Sequence, residues 1–119
     1  MNRSNVVLRY RDGRTERVSL VEIDAEQQFA AVARDGAQAR VPFAELKAIF
    51  FPRGTPEAEP EPPSGSTIAV EFADGEVIRG MAHYNPERNG FFLFPHDRSK
   101  NDRIFVVNSA IVSIEVEKL

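Results

Sequence analysis

The chain has 119 residues, 42% of them hydrophobic and 28% charged, enough for one modest globular domain or two very small ones. No apolar run approaches the ~20 residues of a membrane helix, and the lack of cysteine excludes disulfides, thiolate metal sites and a cysteine nucleophile. A formal charge of −3 at pH 7, with an isoelectric point near 5.4, has the wrong sign for a general nucleic-acid binder.

Met1-Asn2-Arg3 leads into a strand-like segment without an apolar signal region, so the expected location is the cytoplasm. Val6-Val7-Leu8-Arg9-Tyr10-Arg11 then alternates apolar and polar side chains, the period of a half-buried strand. It runs into Asp12-Gly13, and an Asp-Gly pair supplies the positive φ of a tight hairpin turn. Five short strands are expected in this half, near 5–11, 15–23, 28–34, 38–43 and 47–52. Single helical turns fit 25–29 and 43–46, and neither leaves room for a long amphipathic face.

Residues 54–66 break the pattern. They hold four of the eight prolines (Pro56, Pro60, Pro62, Pro63) and Glu57, Glu59 and Glu61, with no large apolar side chain. Such a stretch cannot bury enough surface to offset its ordering. Its proline density favours extended geometry, so it reads as an acidic, semi-rigid linker.

Beyond it, Ile68-Ala69-Val70-Glu71-Phe72-Ala73 repeats the alternation and reaches Asp74-Gly75. Arg17 and Arg79 lie at the same distance past their turns, and so do Phe29 and Phe91. Each half closes on an apolar strand, 46–51 and 111–116, the second after three extra loop residues. The halves read as diverged copies of one unit. Five more strands are expected near 67–73, 76–84, 90–95, 103–108 and 111–117. Short, regularly spaced strands with tight turns predict small barrels, not a parallel sheet.

The second half resembles an Sm-like domain. The resemblance rests on Val70-Glu71-Phe72-Ala73-Asp74-Gly75 with Glu76-Val77-Ile78-Arg79-Gly80, and on the middle strand Phe91-Phe92-Leu93-Phe94. The closing pair 103–108 and 111–114, joined by a one-turn corner, completes it. It extends more weakly to the first half, and the whole is similar to small bacterial domains with Asp-Gly hairpins. The resemblance implies an all-β chain of two tandem five-stranded Sm-like or SH3-like barrels. These would be an N-terminal barrel at 1–53, the linker at 54–66 and a C-terminal barrel at 67–119. The closing turn Val107-Asn108-Ser109-Ala110 lacks the basic residue of RNA-binding relatives, and the loop Asn85–Gly90 compares only loosely with theirs. RNA binding is therefore the alternative function, since a fold alone does not carry one.

Candidate site residues come from two places. Residues 1–53 hold nine Lys or Arg against seven Asp or Glu, whereas 67–119 hold six against eight. Arg9 and Arg11 share a strand face, and across the hairpin they are expected near Arg17 or Glu16. Arg9, Arg11 and Arg17 would meet an acidic partner surface or a phosphate; the plainer reading is a solvated face paired locally with Glu16 and Asp12. The second place is Gly90-Phe91-Phe92-Leu93-Phe94-Pro95, apolar at nearly every position, so both faces want cover. Either Phe91, Phe92 and Phe94 pack between the barrels, as Phe50-Phe51 would, or they anchor a partner.

Catalysis and metal binding find no support. His83, His96, Asp97 and Asp102 lack ligand spacing, and Ser99 and Ser109 have no adjacent base. No phosphate loop or nucleophile elbow appears, so no cofactor is expected. The expectation is a non-enzymatic cytoplasmic adaptor or regulatory subunit of a bacterial signalling or assembly complex. Its partner would be another protein rather than nucleic acid or membrane, met by strand-edge addition or the aromatic patch. Self-association through strand edges is a second use of the same edges. A response regulator or small GTPase falls within this class, and no residue singles either out.

Overall fold

The computed structural model describes residues 4–53, 65–97 and 99–117. The chain is all-β. Its first half carries β1 (Ser4–Tyr10), β2 (Thr15–Asp24), β3 (Phe29–Arg34), β4 (Ala37–Pro42) and β5 (Leu46–Pro52). The second carries β6 (Ser66–Phe72), β7 (Val77–Ala82), β8 (Gly90–Pro95), β9 (Asn101–Val107) and β10 (Ile111–Val116). Single 3₁₀ turns at Phe43–Glu45 and Asn108–Ala110 precede β5 and β10. No helix among the described residues is long and apolar enough to cross a membrane. Of the expected linker, 54–64 lie outside the described residues, and Ser66 already opens β6.

All ten strands join one open antiparallel sheet, ordered β10-β6-β7-β8-β9-β5-β1-β2-β3-β4. Each half thus places its closing strand beside its first, then runs first to fourth. The halves meet where β5 pairs with β9, in the register Ala48↔Val106, Ile49↔Phe105, Phe50↔Ile104 and Phe51↔Arg103.

The Asp-Gly turns form as their chemistry requires. Gly13 and Gly75 take φ of +96° and +88°, a region that costs a residue with a Cβ. The Asp12 and Asp74 carboxylates accept the Arg14 and Glu76 amides, at 2.9 and 3.0 Å. Tyr10 and Phe72 close the turns by donating their amides to the Arg14 and Glu76 carbonyls, each at 2.9 Å.

β5 explains its own composition. It lies between β1 and β9, and every residue from Leu46 to Phe51 is buried. A strand covered on both faces and both edges reads as a continuous apolar run. The core is correspondingly continuous between the halves: Leu8, Leu46 and Ile49 share one cluster with Ile68, Val70, Leu93 and Val106. Phe43 meets Phe105 across the junction, their ring centres 5.6 Å apart. Gly90 is fixed by the same packing, because a Cβ there would lie 2.4 Å from the Phe105 ring.

Candidate partner interface

The junction uses charged side chains that the sequence offered for a partner. Arg11 donates from Nε to the Leu46 carbonyl and from Nη2 to the Phe43 carbonyl, both at 2.9 Å. The same Nη2 reaches Ser109 Oγ of the other half at 2.5 Å. Arg9 lies over the Phe50 ring at 4.2 Å and pairs with Glu76 at 3.5 Å. Both arginines therefore tie the first hairpin to the second half.

Lys47 completes this seam. Its side chain is only 8% exposed, and its ammonium donates to Asp74 Oδ2 at 2.7 Å and Glu76 Oε1 at 2.5 Å. A buried ammonium needs such partners, since unpaired it would lose its hydration without return. The bond from Lys47 is the largest influence holding the Asp74 carboxyl below its ordinary value.

Arg17 behaves differently. It stands opposite Val7, exposed, and no described residue pairs with it. It lines a cavity of about 440 Å³ with Asn5, Glu16, Arg34, Asp35 and Pro52. Glu16 stands opposite Leu8, so it turns away from Arg9 and binds Arg34 at 2.7 Å. The Tyr10 hydroxyl also donates to Glu16, at 2.7 Å. Arg34 first, and Tyr10 less, hold the Glu16 carboxyl below its ordinary value. The expected cluster of Arg9, Arg11 and Arg17 thus divides: two at the junction, one at this cavity.

The three phenylalanines divide as well. Phe91 and Phe94 are each 6% exposed and belong to the core, with Phe91 edge-on to Tyr84 at 5.3 Å. Phe92 is 37% exposed. It rests edge-on against Phe51 at 5.7 Å and Phe105 at 5.2 Å, so two buried rings support it. The Arg103 guanidinium covers both Phe51 and Phe92, 4.6 and 4.9 Å from their ring centres. Phe92 lies in one cross-strand row with Phe105, Ile49 and Leu8, and Arg9 in the next with Ala48, Val106 and Phe91. Side chains of successive rows leave a sheet on opposite faces, so Phe92 and Arg9 do not form one patch.

Phe92 opens onto a cleft of about 700 Å³ between the halves, walled by Ile23 and Ala25 on one side and Tyr84, Phe91 and Phe105 on the other. Arg88 lines it too. Asn89 Nδ2 donates to the Ala25 carbonyl at 2.6 Å and bridges the two walls. Asn108 Nδ2 binds the Asn85 carbonyl at 3.2 Å and the Arg88 carbonyl, pinning the loop before β8. Lys47 and Arg103 escaped the reading of the sequence as site residues, and Asn89 and Asn108 entered it only through the comparison with Sm-like loops. Only the chain-order signal of a lysine inside an apolar strand could have marked Lys47. His83, His96, Asp97 and Asp102 do not gather into a metal-binding group of three or more among the described residues.

The fold and these surfaces define a small all-β protein: one open sheet, two halves sewn by charged side chains, and a cleft with an aromatic floor. The chain belongs to a family of unknown function, DUF6982, which it matches over residues 2–118. No curated protein and no solved structure shows significant similarity to it.

Proposed function

We propose that the chain is a non-enzymatic adaptor or regulatory subunit, cytoplasmic and bacterial, that binds another protein. The halves act as two tandem Sm-like or SH3-like barrels joined by the acidic linker at 54–66. The observation that carries the reading is Phe92, a large apolar side chain held open to solvent on packed rings at the cleft. An exposed aromatic beside a concave surface that mixes apolar and polar side chains is the usual form of a binding anchor. The partner inserts an apolar side chain against Phe92, and Arg17 supplies a charge at a separate point. Strand-edge addition at a free edge of the sheet is the second mode of contact.

Affinity capture from bacterial extract, split into nuclease-treated and untreated halves, tests this. A discrete protein is expected to survive nuclease and moderate salt. Phe92→Ala is expected to release it while the chain stays folded. Recovery of RNA that vanishes with nuclease, taking the proteins with it, would replace the adaptor by Sm-like RNA binding.

A further inference from the structure

β5 and β10 hold the same place in their halves, each beside the first strand and following a 3₁₀ turn. β9 and β4 likewise hold the same place, each beside the third strand. The chain fills one such pairing internally, β5 with β9, and leaves one strand of each kind at the ends of the sheet. Corresponding residues in the closing strands are 65 positions apart, Leu46 with Ile111.

The difference in cover is large. Val112 and Val116 are 63% and 50% exposed, while the corresponding Lys47 and Phe51 are 6% and 3%. β10 is therefore an apolar edge from which the covering strand is missing, a feature that invites pairing. The internal junction selects the occupant: β5, the counterpart of β10, already pairs with β9, the counterpart of β4.

We propose that β10 pairs with β4 of a second copy of this chain, head to tail, in the register that β5 uses for β9. Transferring that register sets Ser113 opposite Val41, Ile114 opposite Arg40, Glu115 opposite Ala39 and Val116 opposite Gln38. Pro42, which has no amide hydrogen, corresponds to Val107 and falls one place beyond the paired residues. Such a contact is heterologous, so it continues from copy to copy until a ring closes or a filament grows. The proposal rests on the edge-addition mode above and is independent of Phe92.

The exposed positions allow each end to be blocked without touching the core. Val112→Lys with Val116→Lys closes β10, and Gln38→Glu with Arg40→Glu closes β4. Sedimentation from micromolar to millimolar concentration should show the wild type growing beyond a dimer and each blocked chain as a monomer. An equimolar mixture of the two blocked chains should form a dimer and nothing larger, since one good end of each kind remains. A wild type that stays monomeric, or a mixture that does, would overturn the proposal. So would self-association of the β4-blocked chain, which would mean that β10 pairs with itself.

Register is read separately. The chain has no cysteine, so Val116→Cys and Gln38→Cys chains, mixed and oxidised, report only the introduced thiols. The mixed disulfide should exceed both homodimers, and equal yields of all three would contradict the register. Phe92→Ala should assemble as the wild type does, which separates failure of this proposal from failure of the Phe92 reading.

Discussion

β5 and β10 are the same element in two circumstances. β5 reads Leu-Lys-Ala-Ile-Phe-Phe and is buried throughout; β10 reads Ile-Val-Ser-Ile-Glu-Val and is largely open. Each adds to the first strand of its half, so the difference comes from what lies on the other side. With β9 beside it, β5 has no solvent face and keeps two phenylalanines. Without a neighbour, β10 replaces Ala48 and Phe50 by Ser113 and Glu115, polar residues that moderate an exposed edge. Ile111 and Ile114 of β10 pack against the core, so the informative residues are the exposed Val112 and Val116.

Six substitutions would break or sharpen this contrast. The largest effect is expected from truncation at corresponding places. Phe51→Ala should cost about 3–5 kcal/mol for the cavity it leaves, against at most about 0.5 kcal/mol for Val116→Ala in the monomer. Urea unfolding of both variants measures the ratio, and similar losses would mean that β10 is as well covered as β5.

Next comes Gly90→Ala, whose Cβ would press on the Phe105 ring and the Val106 carbonyl. Overpacking of this kind costs about 1–3 kcal/mol, visible as a lowered urea midpoint with an unchanged slope.

Arg11→Ala removes two hydrogen bonds within the first half and one across the seam to Ser109, and should cost about 1–3 kcal/mol, because the Phe43 and Leu46 carbonyls lose their charged donor. Arg9→Ala, whose pairing with Glu76 is partly exposed, should cost about 1 kcal/mol or less. A double-mutant cycle would show whether the two arginines act on one seam.

The smallest effect is one of pH. The Asp74 carboxyl, with an ordinary value of 3.8, is held lower in the folded chain by Lys47. The stability this contributes is present above the unfolded value and is lost as pH falls through the folded one. Lys47→Met returns Asp74 toward its ordinary value, so the thermal midpoint should decline less steeply on acidification. An unchanged acid slope would show that the Lys47–Asp74 contact is not populated in solution.

Much of the fold was legible because it depends on neighbours in sequence. The turns at Asp12-Gly13 and Asp74-Gly75 follow from backbone conformation alone, and alternation marks β1 and β6 around them. Ten strands were expected and ten are present among the described residues, with ends displaced by a few residues. β7, for example, stops at Ala82 instead of 84, and Tyr84 meets Phe91 edge-on. The site was less legible because its contacts join distant segments. The hairpin pattern placed Arg9 and Arg11 near Glu16; Glu76 and Ser109, in the other half, claim them. The run Phe91–Phe94 announced burial on both faces, and alternation could not say that Phe92 alone would stay half open, since Phe51 and Phe105 decide it.

Backbone hydrogen exchange, followed residue by residue at rising protein concentration, tests most directly whether β10 is an edge awaiting a strand. Amides of β5 should exchange slowly at every concentration, through opening of the whole sheet. Outward-facing amides of β10 should exchange rapidly in dilute protein and become protected, together with those of β4, as concentration rises. Protection of β10 equal to that of β5 in the most dilute sample would contradict an open edge, and protection independent of concentration would contradict its filling by a second copy.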